Sequence, residues 1–188
     1  MAARQRPGWD DYYMHIAWVV ASRSNCLRRA VGALVVVRRS IISTGYNGTP
    51  FGVTNCDEGG CPRCASDLPR QSGYDWCLCV HAEQNAIALA ARQGTPTEGG
   101  SVYVNLRPCF SCLKDLVQAG IREIVYDQPF DYVDDLEGTY QSLLAQSGVT
   151  MRQHAYSEAH PQPGLSAAHG AGPEMPPDAQ EVEERSRP

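Results

Sequence analysis

The triplet His81-Ala82-Glu83 and the run Pro108-Cys109-Phe110-Ser111-Cys112 constrain this chain most, because their chemistry requires a fold that brings them together. Zinc binds imidazole and thiolate, and a site with three protein ligands leaves its fourth tetrahedral position to a water whose pKa the metal lowers toward neutrality. His81, Cys109 and Cys112 are the expected ligands of such a hydrolytic zinc centre. Glu83 shares a first helical turn with His81 but is displaced around the axis, so it can face that water as a proton carrier without ligating the metal. A lone Cys-x-x-Cys can be a redox pair, and a lone histidine is more often a packed or surface residue. All four residues in this order are specific to catalytic zinc.

The surrounding pattern supplies a scaffold. Trp9, Tyr12, Tyr13, Ile16, Ala17 and Val20 recur at helical spacing, which predicts an amphipathic helix from about Asp10 to Ser24. Val31 to Val37 and Ile41 to Tyr46 are β-rich runs joined through Arg38, Arg39 and Ser40, the pattern of a hairpin. Ala82 to Arg92 reads as a helix with His81 at its amino end, Ser101 to Leu106 as a strand, Cys109 to Gln118 as a helix and Glu123 to Tyr126 as a strand. A helix across Asp134 to Gln146 and a strand from Val149 to Gln153 complete about five strands sandwiched by helices. Ligands at helix starts are favoured because free N–H groups and the helix dipole stabilise negative charge. The pair Asp134 and Asp135 suits the positive end of the last helix better than a metal.

Residues 47 to 80 have little periodicity but contain Cys56, Cys61, Cys64, Cys77 and Cys79, with Cys26 just before the first strand. A loop without an apolar core can be ordered by a closed tetrahedral zinc. By spacing alone, Cys61, Cys64, Cys77 and Cys79 form one such set, with Cys61-Pro62-Arg63-Cys64 as the knuckle; free buried cysteines or a redox pair are the alternatives.

The 188 residues fit one domain, 1–156, with the cysteine-rich insertion inside it; the segment 157–188, rich in proline, small residues and glutamate, is expected to be a disordered tail. A hydrophobic content of 43% suffices for a core. The net charge of -5 and the scatter of the sixteen basic residues argue against a polynucleotide track, while a free nucleotide needs only a local positive patch. The longest apolar run, Ile16 to Ala21, is too short to span a membrane, and Met1 to Asp11 lacks the pattern of a signal peptide, so the expected compartment is the cytoplasm.

With His81-Ala82-Glu83-Gln84-Asn85-Ala86-Ile87, Pro108-Cys109-Phe110-Ser111-Cys112 and Gly45-Tyr46-Asn47-Gly48 together, the chain resembles the deoxycytidylate deaminases of the zinc-dependent cytidine deaminase superfamily, in particular the bacterial competence-operon type. Cys26 to Ala33 and Gln118 to Tyr126 extend the resemblance over roughly residues 9 to 154. It implies a three-layer α/β/α cytidine deaminase-like fold with a five-stranded mixed sheet, and hydrolysis of dCMP to dUMP and ammonia. It also implies a homo-oligomer, often a hexamer, activated by dCTP with Mg2+ and inhibited by dTTP. Where members carry a second, structural zinc, its ligands correspond to Cys26, Cys56, Cys61 and Cys77. Cys64 and Cys79 are departures from that pattern. Asn105 and Arg107 are others: the first bears on the hydrogen bonds made to substrate, and the second is either a phosphate contact or a surface arginine.

On this reading Glu83 protonates the base at N3, backbone at Ala82 holds the pyrimidine edge, and Asn47 is the sugar contact unless it merely shapes an Asn-Gly turn. Arg28, Arg29 and Arg107 are candidates for the phosphate, and Tyr126, Phe130 and Tyr132 for stacking or packing. Rival readings are a deaminase of a free, antibiotic or modified cytosine nucleoside or nucleotide, a polynucleotide deaminase, and a non-catalytic zinc-binding module.

Overall fold

Along the first strand, side chains alternate between two faces, and each face finds a separate helical layer. In β1 (Gly32–Val37), Leu34 and Val36 pack with Tyr13, Met14, Ala17 and Trp18 of α1 (Trp9–Ala21), while Ala33 and Val35 join the cluster on the opposite face. The same alternation runs through β3 (Ser101–Leu106) and β4 (Glu123–Gln128): Tyr103 and Val125 face α1, and Val102, Val104 and Ile124 face away. That second face is covered by α3 (Ala82–Arg92), α4 (Phe110–Gln118) and α5 (Leu136–Ser147), through Ala82, Ala86, Leu113, Leu116 and Tyr140. The result is the three-layer α/β/α arrangement expected from the sequence.

The computed structural model describes residues 6–69, 72–132 and 135–156. The expected tail and Asp134 lie outside the described residues. The sheet has the order β2-β1-β3-β4-β5, with β2 (Ser40–Tyr46) and β5 (Thr150–Gln153) at its edges. β1 pairs antiparallel with both β2 and β3, whereas β3, β4 and β5 run parallel, so the sheet is mixed. Parallel neighbours require crossovers, which α4 and α5 provide. Among the described residues no helix is long and apolar enough to cross a membrane.

The hairpin turn is tighter than the sequence reading placed it. Ser40 already pairs with Val37, leaving Arg38 (φ 50) and Arg39 (φ 65) as a two-residue turn in left-handed conformation, the geometry that matches strand twist. Between β2 and α3 the insertion carries little regular structure. Its described residues include two single 3₁₀ turns, Cys56–Glu58 and Tyr74–Trp76, and a one-turn helix α2 (Pro62–Ala65), closed by a bridge between Gly48 and Val80.

Two glycines set how closely the helices approach the sheet. A Cβ on Gly32 would stand 2.2 Å from the carbonyl oxygen of Ala17 in α1, and one on Gly45 would stand 2.2 Å from that of Ala82 in α3. The second contact matters for function, because Ala82 lies between the two residues on which the chemistry depends.

Candidate metal and substrate site

Two helix starts meet at the site. His81 is the extended N-cap residue of α3 and Cys109 the extended N-cap residue of α4, with Cys112 in the first turn of α4. Their ligand atoms lie within 4.8 Å of one another, His81 Nδ1 at 3.4 Å from Cys109 Sγ and 3.3 Å from Cys112 Sγ. Zn–N and Zn–S bonds of about 2.0 and 2.3 Å at a tetrahedral angle put nitrogen and sulfur roughly 3.5 Å apart, so the donor set fits zinc in type and spacing. Without a metal the cluster is strongly polarised. The Cys112 thiol draws Cys109 down to about 4 while its own is pushed well up, and the Cys109 thiolate raises His81 to about 9. A bound cation would release those protons.

Glu83 is 4% exposed, and desolvation pushes its carboxyl up to about 7. It lines one cavity of about 490 Å³ together with His81, Ala82, Cys109, Asn47 and Phe130. Gln84, Asp115 and Tyr140, to which no role was assigned from the sequence, help hold this geometry in place. Gln84 accepts a hydrogen bond from the His81 N–H (3.2 Å) and donates to Asp115 of α4 (2.9 Å), tying together the two helix starts that carry the ligands. Its position three residues after the N-cap is the capping-box spacing and was legible. The Tyr140 hydroxyl donates to the Pro108 carbonyl (3.0 Å) and the Phe110 N–H to the Tyr132 hydroxyl (2.6 Å), contacts between distant segments with no local pattern to betray them.

The expected substrate contacts divide into groups. Ala82 and Asn47 reach the cavity, but Asn47 is engaged with the backbone: its Oδ1 accepts from the Val31 N–H (2.8 Å) and the Ser24 hydroxyl (2.7 Å), and its Nδ2 donates to the Arg29 carbonyl (2.8 Å). One amide N–H is left over for a ligand. Arg28 lines the cavity with its guanidinium committed to the carbonyls of Arg63, Cys64, Ser66 and Leu68. Arg107, read from sequence as either a phosphate contact or a surface arginine, is not at the surface. It is 6% exposed, stacks 4.2 Å over the Tyr140 ring, and is bonded to Glu137 (2.8 Å), Asp131 (3.2 Å) and the Phe130 carbonyl (2.6 Å). Arg29 is exposed on the cavity wall, and its guanidinium makes no hydrogen bond or ion pair among the described residues. Tyr126 packs against the core cluster and is not part of the cavity lining. Asn105 is likewise turned inward, accepting from the Gly32 N–H (3.0 Å) and donating to the Ala30 carbonyl (3.2 Å).

The remaining six cysteines gather at the cavity's other wall. Their sulfurs form two sets of four, each within 4.8 Å: Cys26, Cys56, Cys64 and Cys79, and Cys61, Cys64, Cys77 and Cys79. The second matches the set read from spacing. The quartet implied by the resemblance, Cys26, Cys56, Cys61 and Cys77, takes two members from each set.

Two helix N-termini carrying a His/Cys/Cys donor set beside a buried glutamate, on a mixed five-stranded sheet, define a class, and over residues 7–128 the chain matches the cytidine and deoxycytidylate deaminase zinc-binding region, a family to which it belongs. Among individual relatives, the deoxycytidylate deaminase of Schizosaccharomyces pombe is 43% identical over 151 residues, covering 80% of this chain and 45% of that protein. The ComE operon protein 2 of Bacillus subtilis is 34% identical over 149 residues, covering 79% and 72%. The chain thus spans about half the length of the fungal relative. A solved dCMP deaminase from the cyanophage S-TIM5, in complex with dCMP and dUMP, superposes with a TM-score of 0.62 at 30% identity, covering 80% of this chain and 100% of that one.

Proposed function

We propose that this chain is a zinc-dependent hydrolytic deaminase that converts dCMP to dUMP and ammonia. The observation that carries the reading is the buried carboxyl of Glu83 in the same cavity as the His81, Cys109 and Cys112 donor set, a group that a closed structural zinc site has no use for. Names borne by the relatives, and the dCMP and dUMP bound by the cyanophage enzyme, support the substrate. When bound, zinc supplies a Lewis acid that makes water nucleophilic near neutral pH.

The chain's own residues do the rest. Glu83, at the second position of α3, delivers a proton to N3 of cytosine and then to the departing amino nitrogen. Ala82, at the helix start, offers backbone to the pyrimidine edge, and the remaining amide proton of Asn47 meets a sugar hydroxyl. Phe130 closes the apolar side of the cavity. The phosphate falls to Arg29, since Arg28 and Arg107 spend their donors on the protein itself.

The commitment of those two arginines also favours a second reading, a deaminase of a free or modified cytosine nucleoside, in which no phosphate need be held. Purified zinc-loaded protein given dCMP, CMP, deoxycytidine and dCTP in equimolar mixture separates the two. Earliest appearance of dUMP supports dCMP as substrate; preferential conversion of deoxycytidine supports the second reading and removes Arg29 from the site.

By the same family resemblance, the chain assembles as a homo-oligomer, often a hexamer, under control by dCTP with Mg2+ and by dTTP. A cytoplasmic location agrees with eight cysteines that form no disulfide. We take residues 1–156 as the working domain.

A further inference from the structure

Among the described residues, the buried apolar cluster of the insertion is made of cysteines. Cys56, Cys61, Cys64 and Cys79 are buried in it, with Cys26 and Cys77 partly buried against them. Among the described residues no aliphatic or aromatic side chain joins this cluster to supply the apolar burial that would order a loop of this length.

We infer that these six cysteines hold two divalent thiophilic cations, with Cys64 and Cys79 shared between them, so that the insertion is built around a binuclear metal–thiolate cluster. The geometry is specific. Each four-sulfur set is complete for one tetrahedral ion, and the two sets have Cys64 and Cys79 in common. Cys26 to Cys64, Cys61 to Cys77, and Cys64 to Cys79 are each 3.8 Å apart, one pair in the first set, one in the second, and the shared pair. Four Zn–S bonds of about 2.3 Å at a tetrahedral angle put the sulfurs roughly 3.8 Å apart, whereas a disulfide brings them to about 2.05 Å. A single ion in either set would leave two cysteines of the other as surplus thiols, Cys61 and Cys77 or Cys26 and Cys56, within the same sulfur cluster.

The donors around the sulfurs follow the same division. Backbone N–H groups reach one unshared cysteine of each set: that of Leu27 donates to Cys56 (3.5 Å) and that of Leu78 to Cys61 (3.4 Å). A thiolate bound to one metal keeps lone pairs to accept them; one bound to two has fewer to spare. Cys64 and Cys79 instead face other sulfurs: Cys64 lies 3.8 Å from both Cys26 and Cys79, and Cys64 and Cys79 belong to each four-sulfur set. Six thiolates against two dications leave a net charge of -2, and the guanidiniums of Arg28 and Arg63 stand alongside, anchored to loop carbonyls. The cluster joins the segment between α1 and β1, through Cys26, to the residues just before His81, through Cys79, and Cys26, Cys64, Cys77 and Cys79 all line the cavity.

The test counts metal in the full chain with the other site removed. The double variant Cys109→Ser/Cys112→Ser, analysed for zinc per chain by mass spectrometry under native conditions and by elemental analysis, is expected to retain two ions; one ion, or none, overturns the proposal. In wild-type protein exchanged into 113Cd, two tetrathiolate resonances are expected, each split by the other through the shared sulfurs. A single such resonance, or two without mutual splitting, overturns it even if the variant fails to fold. Both readouts are independent of deaminase activity.

Discussion

Gly45→Ala should damage catalysis out of proportion to stability. The new Cβ would sit 2.2 Å from the carbonyl oxygen of Ala82, 2.4 Å from the amide nitrogen of Ala86 and 3.0 Å from the Ala86 Cα. It would wedge against the first-turn carbonyl of Ala82, between His81 and Glu83, and the amide of Ala86 one turn further on, all backbone that no rotamer change can clear. Restoring an ordinary separation of roughly 3.3 Å or more requires the helix start to move by about 1 Å. Overpacking of this kind costs about 1–3 kcal/mol, or a fall in Tm of roughly 2–12 °C for a domain of this size. A displacement of about 1 Å at the reacting groups costs on the order of 10²-fold in rate. Gly32→Ala is the internal control. Its Cβ meets α1 just as closely, at 2.2 Å from the Ala17 carbonyl oxygen and 2.4 Å from the Ala21 nitrogen, on the sheet face away from the ligands. Thermal melts and kcat/KM on dCMP for both variants are the assay. Similar losses of Tm are expected, with a far larger loss of activity in Gly45→Ala. Equal losses of activity, or a fully active Gly45→Ala, would refute the claim that this contact sets the position of the site.

Other consequences follow from particular contacts. Arg107 holds Glu137 down to about 2, below its ordinary 4.5, so the pair's stabilisation is present in full above about pH 4.5 and lost as pH falls toward 2. Replacing Glu137 with glutamine should cost about 1.5–3 kcal/mol at pH 7 and progressively less below pH 4.5, as read by chemical denaturation; a gap independent of pH would contradict the pairing. Gln84→Ala frees the His81 N–H and cuts the tie to Asp115, and should lower zinc affinity by about 10–100-fold in competition with a chelator, against an expectation of no change if Gln84 is only a surface residue. Arg29→Ala should reduce kcat/KM for dCMP by roughly 10–100-fold and leave any turnover of deoxycytidine unaltered. Equal effects on both substrates would move the phosphate elsewhere.

Much of this was legible because it is local. The limits of α3, Ala82–Arg92, and β3, Ser101–Leu106, agree with those read from the sequence, and a His at a helix start two residues from a Glu announces its own chemistry. What could not be read was what long-range partners do to a side chain. Arg28, Arg29 and Arg107 are alike as letters. The fold spends Arg28 on four loop carbonyls and buries Arg107 against Tyr140 and Glu137, while Arg29 remains exposed on the cavity wall. Asn105 and Tyr126 alternate along their strands as pattern requires, but which face carries the cavity is a property of the sheet. The cysteines show the same division: spacing yields one set of four, and only the folded loop makes Cys64 and Cys79 common to two.

The central claim is that Glu83 works beside a zinc held by His81, Cys109 and Cys112 to deaminate dCMP. Glu83→Gln keeps the shape of the side chain and removes its capacity to carry protons. Turnover of dCMP and zinc content, measured on the same preparation of this variant and of wild type, test the claim most directly. The account predicts dUMP and ammonia in equal amounts from wild type, and a variant that keeps its zinc and its melting temperature while losing about 10²–10⁴-fold or more in kcat. A zinc-replete Glu83→Gln protein that still makes dUMP within a few-fold of wild type, or a zinc-replete wild type that makes none, would contradict it.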